Sequence, residues 1–390
     1  MMEFSDRVTS VEPSATLAVS NLASELEADG VDVVDLSVGE PDFDTPENIV
    51  EAGKAAMDAG HTGYAPSNGV PELRDAIAEK LQGDGLGYEA DNVIVTPGAK
   101  QALYETFQTV VGPSGRGTSS RAGDEVVLLD PAWVSYEAMA KLAGGELNRV
   151  DLAPHDFQLE PALDDLAEAV SDDTELLVVN SPSNPTGAVY SRAAMEGVRD
   201  LAVDHDVTVI SDEIYQHINY GPEHVSLAGL DGMFERTVTV NGFSKAYSMT
   251  GWRLGYLAAP EEIVSQAGKV QSHSVSSAAN FVQRAGVEAI QHTDDAIDEM
   301  VDAFESRRDL LVDLFAEHGK DVSTPDGAFY LMLPVADDDQ EWCQEALKDA
   351  HVATVPGSAF GAPGYARLSY AASTERLEEA VERLVDAGYL

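Results

Sequence analysis

Short apolar runs rich in β-branched residues alternate with longer stretches in which apolar positions recur at helical spacing. The runs at residues 33–36, 93–96, 125–129, 176–179, 207–210, 237–240 and 254–258 read as short strands. Leu17, Val19, Leu22 and Leu26 follow Pro13-Ser14-Ala15-Thr16 as an apolar-periodic run behind a capping segment, which predicts a helix. Further helices are expected at about 47–59, from 97 onward, and in a helix-rich region after Ala258 with a long helix around 307–314. Gly327-Ala328-Phe329-Tyr330 opens another strand, residues 355–360 turn, and residues 366–370 form a strand with one outward arginine, Arg367. Gly83, Gly85 and Gly87 follow a helix instead of a strand, so they read as a loop and not as a nucleotide-binding turn. The polar stretch 112–121, GPSGRGTSSR, reads as a surface loop.

A chain of 390 residues with 44% hydrophobic side chains exceeds the usual size of one core, which predicts two domains. No uninterrupted apolar run approaches the length of a membrane span. The opening MMEFSDRVTSVEP lacks the basic and apolar blocks of a secretory signal. Cys343 is the single cysteine, which leaves no intrachain disulfide and no thiolate cluster. No histidine pair has metal-ligand spacing, and His205, between Asp204 and Asp206, reads as a surface residue. A cytoplasmic protein without a metal is the expectation. Charge adds to this: 69 acidic residues against 23 basic ones give a net charge of −46. Such a surface repels nucleic acid and acidic membranes. The carboxylates are spread along the chain, with Asp337-Asp338-Asp339 the nearest thing to a block. That spread reads as salt adaptation in a halophilic protein, since at about 1 M salt the Debye length is roughly 3 Å and repulsion is screened.

Candidate chemistry concentrates in residues 240–256, VNGFSKAYSMTGWRLGY. Lys245 stands in a polar turn beyond a strand end, where a lysine is held rigidly enough to attack a carbonyl. Arg253 opens the next apolar run with a fork that binds phosphate in bidentate fashion. A Schiff-base lysine and an anion clamp are the fixtures that hold pyridoxal phosphate. The strand at 93–96 runs into Pro97-Gly98-Ala99-Lys100, a glycine turn at a helix N-terminus whose free N–H groups and dipole favour an anion. Trp133 follows a strand end, where open α/β sheets place ligands. Asp212 ends a buried strand, a costly place for a carboxylate without a partner; a protonated pyridine nitrogen is such a partner. Taken singly, each residue also has an ordinary reading, as a solvated lysine, a packing aromatic or a capped turn.

The lysine stretch resembles the signature of class I, fold-type I pyridoxal-phosphate aminotransferases, through Ser244-Lys245 and Gly251-Trp252-Arg253. Residues 180–187, NSPSNPTG, and Ser211-Asp212-Glu213-Ile214-Tyr215 match the same family, as does Arg367 in ARLSY. The similarity runs from about Val11 to the C-terminus. It implies an α/β fold: a large cofactor-binding domain, residues 45–285, with a seven-stranded, mostly parallel sheet between helices. A smaller α+β domain would come from both termini, residues 1–44 and 286–390. By the same resemblance Lys245 holds the coenzyme and moves protons, Asp212 faces the ring nitrogen, and Asn184 and Tyr215 reach the phenolate oxygen. Trp133 would stack on the ring, and Gly98, Ala99, Lys100, Ser244 and Arg253 would belong to the coenzyme site. Tyr64 would reach the phosphate of a neighbouring subunit, which implies a homodimer with shared sites. Arg367 would pair with the substrate α-carboxylate, beside Gly39, Trp133 and Asn184, while Lys100, Ser14 and Thr16 would take a distal carboxylate.

The resemblance is greatest to the prokaryotic class Ib aspartate aminotransferases. Ping-pong transfer of the amino group of aspartate, or a related amino acid, to 2-oxoglutarate is therefore expected. An aminotransferase of aromatic amino acids, alanine or prephenate stays open, with the negative Glu12 weighing against prephenate. A carbon–sulfur lyase also stays open, because one scaffold hosts several reactions. A cofactor-sensing regulator would need a DNA-binding domain, for which the chain has neither spare length nor basic surface.

Overall fold

Strands that are apolar on both faces need cover on both sides, and the central strands of this chain have it. The computed structural model describes residues 4–13, 15–112 and 124–390, without the side chains of Ala15 and Thr16. The expected loop at 112–121 falls almost wholly outside these residues, as do Ser14 and the side chain of Thr16.

In chain order the strands are β1 (Val34–Asp35), β2 (Val93–Thr96), β3 (Glu125–Asp130), β4 (Glu146–Asp151), β5 (Thr174–Asn180) and β6 (Thr208–Asp212). They continue as β7 (Thr237–Gly242), β8 (Gly255–Ala258), β9 (Tyr330–Pro334), β10 (Val352–Ala353), β11 (Val355–Pro356) and β12 (Tyr365–Ser369). Among the described residues β2 to β8 form a seven-stranded sheet in the order β2-β8-β7-β6-β5-β3-β4. β8 runs antiparallel to its two neighbours and the other pairs are parallel, as expected for a mostly parallel sheet. Along β3, Val126 and Leu128 face one layer while Val127 and Leu129 face the other, the two-residue alternation of a strand covered on both sides. On the first side lie the helices Ala99–Val110, Val134–Ala143 and Glu261–Ser274, with Leu103, Phe107, Met139 and Val264 in the core.

The edge strand β4, Glu-Leu-Asn-Arg-Val-Asp, has no apolar run and no counterpart among the expected strands. The run at 33–36 is a strand but lies outside the large sheet, because β1 pairs in parallel with β10. A second, three-stranded sheet has the order β11-β12-β9. It packs with the helices Asp294–Glu317 and Thr374–Asp386 around Phe304, Leu311, Phe315, Leu331, Leu368 and Leu384. The long helix thus starts well before residue 307. Arg367 on β12 does not face outward: only 2% of it is exposed, because β12 is covered along its length and the side chain enters the gap between the two sheets. Among the described residues no helix is long and apolar enough to cross a membrane.

What matters for the site is register. Asn180 ends β5 opposite Asp212, and Asp212 ends β6 opposite Val240 of β7. Side chains at and just beyond these positions gather on one edge of the sheet, the edge where open α/β sheets place their ligands.

Candidate active site

A cavity of about 570 Å³ opens on that edge. Asp212, at the end of β6, lies in its floor; the carboxylate accepts hydrogen bonds from Tyr136 Oη at 2.6 Å and from the Ile214 N–H at 3.3 Å. Burial drives its pKa up to about 6 in spite of these bonds. An anion so placed gains from any cation brought against it.

Lys245 reaches the cavity from the turn after β7. Its Nζ donates to the Gly39 carbonyl and lies 5.5 Å from the Tyr215 ring and 5.4 Å from the Phe329 ring. Loss of solvent, with the positive charges of Arg367, Arg253 and Lys100, brings its pKa down to about 7, against the opposing pull of Glu40. The amine is therefore available in neutral, nucleophilic form near neutral pH.

Where β2 passes into the helix Ala99–Val110, Gly98 has φ 86° and a Cβ there would stand 2.6 Å from Arg253 Nη2. Only glycine combines that backbone with that close approach. The first amides of the helix have no acceptor within it. Arg253, itself left-handed at φ 56°, fixes its guanidinium by donating to the Thr250 carbonyl at 2.8 Å. Helix N-terminus and guanidinium together form an anion cradle.

On the opposite side Arg367 donates through Nη2 to the Ser37 carbonyl at 2.5 Å and through Nη1 to Asn184 Oδ1 at 3.2 Å. Its guanidinium carbon sits 4.6 Å from the Tyr330 ring and 5.1 Å from that of Phe360. The buried Nε has no partner among the described residues, a cost unless a ligand supplies the acceptor. Asn184 is aimed by its own N–H, which donates to Asn180 Oδ1 at 2.8 Å. At the mouth, Lys100 Nζ lies 4.7 Å over the Trp133 ring, and its pKa is lowered by partial burial and by Arg253.

Lys100, Lys245, Arg253 and Arg367 thus open on one cavity, and among the described residues none of them forms an ion pair with a carboxylate. In a chain with 69 acidic residues against 23 basic ones, cations left without a partner mark a place for anions from outside. The donor set fits pyridoxal phosphate. It offers a cradle for the phosphate, an amine of low pKa for the aldehyde, and a buried carboxylate for the ring nitrogen.

Of the residues expected from sequence, Gly39, Ala99, Lys100, Trp133, Asn184, Asp212, Tyr215, Ser244, Lys245, Arg253 and Arg367 all line this cavity. Gly98 adjoins it through Arg253. Tyr64, 94% exposed, does not enter the cavity of its own chain. Sequence reasoning passed over Tyr136, Asn180, Tyr330 and Glu40, which line it too. Tyr136 stands one helical turn beyond Trp133, and Asn180 opens the NSPSNPTG stretch; both positions carried a readable signal. Tyr330 carried only its place after Phe329 at a strand start.

The family model described as aminotransferase class I and II matches residues 31–384. The chain is 44% identical over 391 residues to an aspartate/prephenate aminotransferase of Thermus thermophilus, with 98% of each chain covered. It is 40% identical over 396 residues to an aspartate aminotransferase of Bacillus subtilis, again with 98% of each covered. A solved structure of the Thermus thermophilus aspartate aminotransferase with maleate superposes with a TM-score of 0.93 at 42% identity, over 99% of this chain and 100% of that one.

Proposed function

The chain belongs to the class I and II aminotransferases, and from that premise we propose that it moves the amino group of aspartate to 2-oxoglutarate in two ping-pong half-reactions. The observation that carries this reading is the set of unpaired cations around one cavity, with Lys100 at the mouth and Arg367 at depth. A substrate with a carboxylate at each end suits two such heads.

The family works with pyridoxal phosphate, which when bound supplies an aldehyde that takes up amino groups and a ring that accepts the electron pair left at the substrate Cα. Lys245 Nζ would hold the coenzyme, and as an amine of low pKa it would serve as the general base and acid that moves the substrate Cα proton. Asp212 would face the ring nitrogen and, as an anion, favour its protonated, electron-withdrawing form. Tyr215 Oη and the Asn184 side chain would donate to the ring oxygen, and Trp133 would offer its flat face to the ring. The Gly98-Ala99 turn, Ser244 and Arg253 take the phosphate. Arg367 takes the α-carboxylate beside the Gly39 backbone, and Lys100 takes the distal one with Ser14 and Thr16.

A second copy of the chain completes the site in this reading. A groove of about 980 Å³, lined in part by Phe43, Met57, Trp252 and Phe281, shares Glu40, Thr250, Gly251 and Arg253 with the cavity wall. Exposed Tyr64 and Met57 suit a partner seated there, with Tyr64 reaching the partner's phosphate cradle. Residues 45–285 form the large domain and residues 1–44 with 286–390 the small one. The protein is cytoplasmic and salt-adapted. Prephenate is a second reading, favoured because relatives from Thermus thermophilus and Petunia hybrida carry it in their names; exposed Glu12 weighs against it.

The test is a single half-reaction. Holoprotein given aspartate alone should convert its coenzyme to the amine form and release one equivalent of oxaloacetate. An unchanged spectrum with aspartate would overturn the aspartate reading. Across a panel of single amino acids, ammonia and pyruvate from a cysteine-like substrate would mean a lyase, and no conversion with any donor would mean neither enzyme.

A further inference from the structure

We propose that Tyr330 is a positioning residue that ties the carboxylate-binding guanidinium of Arg367 to the hydroxyl of Tyr215. The proposal rests on the reading of Tyr215 as a donor to the coenzyme ring oxygen. Tyr330 starts β9, is 1% exposed, and is held in register opposite Ser369 of β12. Tyr215 follows β6 of the large sheet, so a contact between the two spans both sheets. Their hydroxyl oxygens are 2.8 Å apart, and the ring of the same Tyr330 carries the Arg367 guanidinium at 4.6 Å. The place of the hydroxyl is protected by an absence: a Cβ on residue 39 would stand 2.6 Å from Tyr330 Oη, and residue 39 is glycine.

Burial keeps both phenols above their ordinary pKa, so both stay protonated at neutral pH. The charges that face the pair are Asp212 from β6, Lys245 from the turn after β7 and Arg367 from β12. A guanidinium against its ring makes Tyr330 the better donor of the two. Tyr330 therefore donates to Tyr215, which leaves the Tyr215 proton free to point at the coenzyme, and hydrogen bonds in such a chain strengthen one another. Without the Tyr330 hydroxyl, Tyr215 is a weaker donor and its proton loses its fixed direction.

Spectrophotometric pH titration of holoprotein reads this directly, because a donor on the ring oxygen lowers the proton affinity of the coenzyme held by Lys245. Tyr330→Phe should raise the midpoint of the coenzyme's absorption change by about half a pH unit. Tyr215→Phe should raise it at least as much, and the double variant should match Tyr215→Phe alone. Gly39→Ala, which crowds the hydroxyl without removing it, should shift the midpoint the same way and add nothing to Tyr330→Phe; it decides the matter if Tyr330→Phe loads coenzyme poorly. Tyr330→Leu should weaken succinate binding to holoprotein roughly three- to tenfold through loss of the ring over Arg367, while Tyr330→Phe keeps it within about twofold. If Tyr215→Phe shifts the midpoint but Tyr330→Phe and Gly39→Ala do not, the tie is overturned. An equal shift from Tyr330→Phe with or without Tyr215 overturns it too, as does unchanged succinate binding in Tyr330→Leu. No shift in Tyr215→Phe itself removes the reading of Tyr215 first, and this proposal with it.

Discussion

Burial acts in opposite senses on the two ionisable groups at the centre of the cavity, lowering Lys245 to about 7 and raising Asp212 to about 6. The consequences for coenzyme-free protein have definite signs. Lysine in an unfolded chain titrates near 10.4, so between about pH 7 and 10 the unfolded state binds more protons and the Lys245 contribution makes stability rise with pH. Unfolded aspartate titrates near 3.9, so between about pH 4 and 6 the native state binds more protons and the Asp212 contribution falls as pH rises. Thermal melts of coenzyme-free variants should therefore show Asp212→Asn gaining stability over wild type above about pH 6, on the order of 2 kcal/mol. Lys245→Met should flatten the rise between about pH 7 and 10. An Asp212→Asn curve that lies below wild type throughout would contradict the burial penalty. At the mouth, Lys100→Gln should raise KM for aspartate about tenfold and leave alanine as donor little changed. Steady-state kinetics with both donors decide whether Lys100 reads the distal carboxylate.

Elements place these residues, and most of that placement was legible. Runs at 93–96, 176–179 and 207–210 carry apolar residues on both faces, and 237–240 alternates β-branched threonine and valine, so they announce themselves as covered strands, and the polar residues just after them mark the ligand edge. β4 was not legible, because Glu146, Asn148, Arg149 and Asp151 leave an edge strand with no apolar period. The direction of Arg367 was not legible either; its burial depends on Tyr330 and Phe360, and one strand cannot reveal what covers it. The same limit hid Tyr136 as the donor to Asp212, a contact between residues far apart in the chain. Gly98 is the element-scale test, since it joins a strand to a helix N-terminus with φ 86° and Arg253 against its Cα. Gly98→Ala should displace Arg253 and raise the dissociation constant of the coenzyme about tenfold or more, the effect of one strained residue and one disturbed charged contact. Equilibrium dialysis of the coenzyme checks it, and unchanged affinity would remove the turn from the phosphate site.

The whole molecule sets 69 acidic side chains against 23 basic ones, so that even complete pairing leaves a net charge of −46. Arg376 and Arg383 are shared between Asp32 and Glu379, and Arg307 grips Asp42 with both terminal guanidinium nitrogens, so these basic side chains are committed locally. Screening should matter for such a surface, and the melting temperature should rise by several degrees between dilute buffer and about 2 M potassium chloride. An unchanged melting temperature would contradict salt adaptation. A shared site predicts that Tyr64→Ala weakens coenzyme binding although Tyr64 is outside the cavity of its own chain; unchanged binding would point to sites complete within one chain. The assignment of the active site depends on one amine. Borohydride reduction of the holoprotein followed by peptide mapping should find the coenzyme fixed to Lys245, and coenzyme on any other residue, or on none, would contradict the account.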